Sequence, residues 1–324
     1  MIVVWRITTR CNLACPFCAY DRRLPFDRLQ VDASKILAFC ETLAAYQRTS
    51  GDPVLVSWLG GEPLLLPELP ELTRHATSLG LRVSATTNGT TLRSSGLRQH
   101  ILDHYAELTV SLDAPDAMHD SLRGWHGGFA SLQETIPQLS AARLAQNRPL
   151  KLRLNTVLLR STISQFSMLA RTAASWGVDE LTFNTLGGRD RPEFFPQNRP
   201  TPAQLADFAQ QLPALRAELG PGGLRIAGSS AYLDRLQASA RNELRAIMHC
   251  GPGEQFLFID ELGRVSPCSF TSDTLGIPLA DLDSPEKISA LPSAFASHRR
   301  SFAPSVCSDC PSTHVFEKFI PPAA

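Results

Sequence analysis

The sequence predicts an α/β fold: a partial (β/α)6 TIM-like barrel followed by a small C-terminal β-hairpin/helix unit. Three observations lead there. Short β-branched runs alternate with longer segments of helical period, the mark of parallel βαβ units. Six such repeats fit into about 190 of the 324 residues, short of the eight that close a barrel. The last 75 or so residues then abandon the alternation for a hairpin pattern flanked by cysteines.

The elements follow in order. Val3 to Thr8 reads as the first strand, and a polar loop runs from it to about Val31. Asp32 is placed to N-cap a helix whose apolar residues Ile36, Leu37, Phe39, Leu43 and Ala44 recur at helical spacing. Strands are expected at Val54–Trp58, Arg82–Thr87, Leu108–Leu112, Lys151–Leu158 and Glu180–Asn184. Helices are expected near Glu68–Ser78, Gly96–His104, Phe129–Ala145 and Ile163–Ser175. The Pro-rich stretch Arg191–Pro202 breaks the pattern. A helix near Ala203–Leu219, expected to kink or split at Pro213, closes the first unit. A Pro-Gly-Gly break at 221–223 puts the boundary between domains of residues 1–222 and 223–324. Phe256–Ile259 and Arg264–Val265, joined by Asp260-Glu261-Leu262-Gly263, read as the hairpin.

Composition narrows the function. Hydrophobic residues make up 43% and charged residues 19%, which is globular and not disordered. Thirty-one basic residues balance 31 acidic ones, leaving no electrostatic footprint for DNA and no polybasic membrane patch. No apolar run approaches the length of a membrane span and no signal-peptide core opens the chain, so a cytoplasmic location is expected. Eight cysteines in such a compartment call for something other than structural disulfides.

Cys11, Cys15 and Cys18 are spaced C-x3-C-x2-C in the loop after the first strand. Three thiolates there can converge on one metal centre, and three ligands leave one iron of a cubane cluster open. Structural zinc sites want four ligands in paired units, and no fourth Cys or His is close in sequence. Cys40, among Leu37, Phe39, Leu43 and Ala44, reads as a small buried hydrophobe. Four cysteines remain: Cys250 and Cys268 flank the hairpin, and Cys307-x2-Cys310 follows 39 residues later. From spacing alone, a zinc ribbon and an auxiliary iron–sulfur cluster are equally open.

Cys11-Asn12-Leu13-Ala14-Cys15-Pro16-Phe17-Cys18 resembles the signature of radical S-adenosylmethionine (SAM) enzymes, including the aromatic Phe17 before the last cysteine. Gly60-Gly61-Glu62-Pro63 after the second strand resembles that family's GGEP loop. Ser111-Leu112-Asp113, His119 to Gly124 and Asn155-Thr156-Val157 follow in family order, so the resemblance spans about residues 1–190. It implies that SAM chelates the open iron of a first [4Fe–4S] cluster. Glu62 and nearby carbonyls then face the amino group, with Gly60 and Gly61 permitting close approach. Arg123 pairs with the carboxylate, and Ser111, Asp113 and Asn155 serve ribose or carboxylate. Gly60-Gly61 also suits a plain strand-to-helix turn, and Asn88-Gly89 is equally a turn or a cofactor contact.

Behind such a barrel, Cys250, Cys268, Cys307 and Cys310 resemble the ligands of a twitch domain, the short form of SPASM, with a second [4Fe–4S] cluster. His249 and His314, near these ligands, read as loop residues or outer donors. The resemblance implies homolytic cleavage of SAM to a 5′-deoxyadenosyl radical, hydrogen abstraction from substrate, and an external donor of flavodoxin or ferredoxin type. A fully ligated second cluster suits electron transfer, so two-electron oxidation of a small molecule is expected. Glu254, Asp190 and Arg189 are the candidate bases. Maturation of a ribosomally made peptide, by crosslinking or epimerisation, is the alternative. Arg189 to Pro202 and the tail after Cys310 are expected to line the mouth. A noncatalytic cluster-binding scaffold is the reading from another class.

Overall fold

The computed structural model describes residues 1–186, 191–247, 250–302, 304–316 and 318. Its strands form one sheet of ten in the order β10-β9-β8-β1-β2-β3-β4-β5-β6-β7. The first six are β1 (Ile2–Thr8), β2 (Leu55–Gly60), β3 (Arg82–Thr87), β4 (Glu107–Ser111), β5 (Lys151–Leu158) and β6 (Glu180–Thr185). Each pairs in parallel with the next, as in an open (β/α)6 barrel wall.

Between them stand α1 (Ala33–Ser50), α2 (Leu69–Ser78), α3 (Ser95–His104), α4 (Met118–Arg123), α5 (Gly128–Ala145) and α6 (Phe166–Ser175). Asp32 caps α1 as expected, accepting from the Ser34 N–H at 2.7 Å. The apolar strand positions Val3, Trp5 and Ile7, Leu108 and Val110, Leu152 and Leu154, and Leu181 and Phe183 are buried under this helical layer. The alternate positions face the barrel interior and are mainly polar, which fixes register, because a one-residue slip would exchange the two faces.

Beyond β6 come α7 (Phe195–Asn198) and α8 (Pro202–Leu219). The expected split at Pro213 does not occur: α8 runs through it as one helix. Its Thr201–Gln204 capping box and the buried row Leu205, Phe208, Leu212 and Leu215 hold the helix together against one lost hydrogen bond.

Past the Pro-Gly-Gly break, β7 (Arg225–Ile226) adds a seventh parallel strand beside β6. It is followed by α9 (Ser230–Ala240), which the sequence reading had not singled out. The hairpin is β8 (Phe256–Ile259) and β9 (Arg264–Ser266), followed by α10 (Ser272–Leu275), β10 (Ile277–Pro278) and α11 (Pro285–Ser301). The hairpin is not set apart from the barrel. β8 pairs in parallel with β1, Ile2 opposite Phe256 and Trp5 opposite Ile259, on the edge that β2 leaves free.

Candidate functional site

Parallel order puts the carboxyl ends of β1 to β6 at one end of the barrel, where the first cysteine loop leaves β1. There the Leu13 N–H points at Cys11 Sγ (3.5 Å) and the Tyr20 N–H at Cys18 Sγ (3.4 Å). Cys15 is buried beside Arg123, whose Nη1 lies 4.0 Å from its Sγ and whose carbonyl accepts from Ala14. Burial pushes the Cys15 thiol up to about 12 and raises Cys11 as well. Left alone these groups stay thiols; a positively charged iron–sulfur core is the partner that turns them into thiolates. The donor set therefore fits the group. Among the described residues, neither cysteine set is preformed around a single metal ion.

The Gly-Gly loop answers to close approach. A Cβ on Gly60 would overlap the carbonyl oxygen of Thr8, at the end of β1, and one on Gly61 that of Arg10, at the start of the cysteine loop. Glu62 is fully buried and its carboxylate is already occupied. It accepts from the Leu64 N–H (3.0 Å), the Thr87 hydroxyl (2.7 Å) and the Asn88 N–H (2.6 Å). Burial raises its pKa to about 7. Asn88, left undecided by the sequence, faces the cysteine loop: its Nδ2 lies 3.0 Å from Asn12 Oδ1 and 3.8 Å from Cys11 Sγ.

Asp113 and Arg123 form a buried pair, Arg123 Nε donating to Asp113 Oδ2 at 2.6 Å, with side chains 0% and 10% exposed. The other carboxylate oxygen accepts from the Val157 N–H at 2.9 Å, tying β4 to β5. Phe17 lies under the Arg123 guanidinium at 5.3 Å and against Phe194 at 6.2 Å. Arg191 reaches the Cys18 carbonyl at 3.4 Å, so the segment after β6 does lean on the cysteine loop. Ser111 stands opposite Asn155 in register. The Asn155 amide oxygen accepts from Thr182 (2.8 Å), Asn184 (3.3 Å) and Lys318 (3.2 Å). Arg189, Asp190 and His249 lie outside the described residues. Glu254 is exposed on the turn leading into β8. Since β8 runs parallel to β1, that turn is at the sheet end remote from the first cysteine loop.

Cys250, Cys268, Cys307 and Cys310 line one small cavity of about 30 Å3, although 60 residues of sequence separate the first from the last. Pro252, Pro267, Leu275 and Val315 make much of its wall apolar. Burial raises the Cys250, Cys307 and Cys310 thiols. Arg299, which no motif flagged, donates from Nη1 to Cys250 Sγ at 3.0 Å and from Nη2 to the Ile247 carbonyl. His314 also lines the cavity, stacks on Phe256 at 4.8 Å and shares a 2.8 Å hydrogen bond with Ser312. Four sulfurs with a cationic donor make a donor set that fits an iron–sulfur group. Cys40 is 1% exposed on the inner face of α1, as expected of a core residue.

The Radical SAM superfamily model matches residues 5–171, which takes in the cysteine loop, the Gly-Gly loop, Asp113, Arg123 and Asn155. The chain belongs to the radical SAM superfamily. It is 26% identical over 285 residues to the AdoMet-dependent heme synthase of Methanosarcina barkeri, covering 83% of this chain and 76% of that protein. It is 25% identical over 272 residues to the mycofactocin maturase MftC of Mycobacterium tuberculosis, covering 83% and 64%. Streptococcus suis SuiB bound to the precursor peptide SuiA shares the fold at a TM-score of 0.67 and 16% identity, covering 98% of this chain and 70% of that one. This radical SAM enzyme thus has the open α/β barrel of its superfamily, which implies SAM and a [4Fe–4S] cluster as cofactors and a reductant as partner. Among the described residues, no helix is long and apolar enough to cross a membrane.

Proposed function

We propose that this radical SAM enzyme is an oxidoreductase that dehydrogenates a small molecule, with a second, auxiliary [4Fe–4S] cluster in a twitch-like unit over residues 223–324. The observation that carries the reading is the convergence of Cys250, Cys268, Cys307 and Cys310 on one cavity. Four thiolates saturate a cubane, leaving no open iron for substrate, so electron transfer is the role that fits. When bound, SAM and the first cluster supply a 5′-deoxyadenosyl radical.

The chain's own residues hold and orient. Cys11, Cys15 and Cys18 ligate the first cluster. Glu62 fixes the loop after β2 through three donors, so that backbone carbonyls of the Gly60-Gly61 loop serve the SAM amino group. Arg123, aimed by Asp113, serves the carboxylate, and Ser111 and Asn155 on neighbouring strands serve the ribose. Phe17 packs on the Arg123 guanidinium and keeps water from the loop.

Anaerobic reconstitution tests this. About eight irons per chain, with 5′-deoxyadenosine formed from SAM and dithionite, supports the reading; about four irons per chain removes the second cluster and the oxidation built on it. A peptide substrate is the second reading, favoured by the likeness in fold to SuiB, which was solved with its precursor peptide. Within that reading epimerisation is disfavoured, because Cys40, the cysteine outside both sets, is sealed in the core and has no path to give hydrogen to a substrate.

A further inference from the structure

Each of the four C-terminal cysteines is met by a donor that no spacing announced. Arg299 Nη1 donates to Cys250 Sγ at 3.0 Å, and the same side chain hydrogen-bonds Cys307. The Thr271 hydroxyl stands 3.3 Å from Cys268 Sγ, and the Ser312 N–H meets Cys310. Sulfur is a weak acceptor as a neutral thiol and a good one as a thiolate, so four donors on four sulfurs suit a set of ligands.

Arg299 is brought there by its helix. The buried residues of α11, Ile288, Leu291 and Phe295, recur at steps of three and four, and Arg299 is the next position on that stripe. Its neighbours His298 and Arg300 are exposed, whereas Arg299 is half-buried and lines the four-cysteine cavity. Its Nη2 is tied to the Ile247 carbonyl, which fixes the fork beside the segment leading to Cys250.

This cation has no acid to answer it. Among the described residues, Arg299 bonds a sulfur and a carbonyl and pairs with no carboxylate. The first cysteine set differs. There Arg123 Nη1 lies 4.0 Å from Cys15 Sγ, but its charge is taken up by Asp113 at 2.6 Å. At the second set, the counter-charge to the guanidinium has to come from the sulfurs.

We propose that Arg299 raises the reduction potential of the auxiliary cluster held by Cys250, Cys268, Cys307 and Cys310, which makes that cluster an electron acceptor. The proposal rests on the auxiliary-cluster reading above. Four thiolates outweigh the charge of an iron–sulfur core, so the group they hold is anionic and one added electron makes it more so. A fixed cation and hydrogen bonds to the sulfurs therefore favour the reduced state. The apolar wall of Pro252, Pro267, Leu275 and Val315 keeps that attraction from being screened, and an arginine keeps its charge at any working pH.

A redox titration tests this. The full-length chain, reconstituted anaerobically, is titrated with dithionite and mediators and followed by electron paramagnetic resonance, with and without SAM. SAM binds the open iron of the first cluster, so the signal it leaves unchanged belongs to the second, and the first cluster's midpoint is the internal reference. In Arg299→Gln the reduced-to-oxidised ratio of the second cluster at a fixed potential should fall about tenfold, a midpoint lower by about 59 mV, with about eight irons still bound. A fall of less than about threefold at about eight irons overturns the role of Arg299 and leaves the auxiliary cluster standing. About four irons per chain in the unsubstituted protein overturns the auxiliary cluster, and this proposal with it. If Arg299→Gln does not hold its second cluster, Arg299→Lys is read in its place. Its ammonium keeps the charge but not the fork, so a ratio lowered about threefold or more supports the proposal and a smaller change overturns it.

Discussion

Replacing Asp113 with asparagine should destabilise the apo protein by about 3 kcal/mol, because it leaves the Arg123 guanidinium buried without its counter-charge. Both side chains are out of water, at 0% and 10% exposure, and they meet at 2.6 Å. Breaking such a pair from one side typically costs about 3–5 kcal/mol. Asparagine keeps one acceptor for either the Val157 N–H or Arg123 Nε, which holds the effect to the low end. At about 2.1 cal/mol/K per residue, a chain of 324 residues loses roughly 1.5 °C of melting temperature per kcal/mol, so the variant should melt about 4 °C lower. Calorimetry on metal-free protein reads this directly. The double variant Asp113→Asn/Arg123→Met removes the stranded charge and should recover most of the loss. A shift under about 1 °C, or a double variant no more stable than the single one, would refute the pair as a buried brace.

Three further outcomes follow from the same contacts. Gly61→Ala forces a methyl into the Arg10 carbonyl and must displace the loop that positions Glu62, at roughly 1–3 kcal/mol; iron bound per chain should fall by at least half of the first cluster's share. Cys40→Ala should lower stability by about 1 kcal/mol and leave the iron count unchanged, a loss of iron showing that Cys40 is a ligand after all. Lys318 gives a pH signature: its folded pKa, about 7, lies below its unfolded value, so between pH 7 and 10.4 the unfolded chain binds more protons and stability rises with pH. Over that window the wild-type melting temperature should gain on Lys318→Met, bounded by roughly 4 kcal/mol; parallel curves for the two proteins would contradict the depressed pKa.

What the sequence made legible was local. The C-x3-C-x2-C loop, the Gly-Gly turn and the Asp32 cap each depend on residues a few positions apart, and the six β/α units repeat a pattern that fixes neighbour order by itself. The unreadable parts come from pairings across long stretches of chain. Nothing in Phe256–Ile259 announces that it will pair with β1, because an edge strand's partner is chosen by the edge left free in the assembled sheet. Lys318 reaches Asn155 across 163 residues, and Arg299 reaches Cys250 across 49, with no motif linking either pair. The GGEP-like loop shows a subtler limit. Its residue types were legible, but the saturation of Glu62 by three donors from its own loop and the β3 end emerged only with the fold.

The pairing of β8 with β1 gives the two cysteine sets a fixed relation. Cys11 follows the carboxyl end of β1, whereas Cys250 precedes the amino end of β8 and Cys268 follows the amino-ward run of β9, antiparallel to β8. The sets therefore stand at opposite ends of β1, whose seven residues span about 20 Å. Between those ends, the interior face carries Ser111, Asn155 and Thr182 in register, with the Lys318 Nζ donating to Asn155. Lower down, Lys151 at 3.0 Å, Arg153 and Arg225 gather on the fully buried Glu180. A substrate held among the hydroxyls and amides would have the radical-generating end on one side and the four-cysteine cavity on the other.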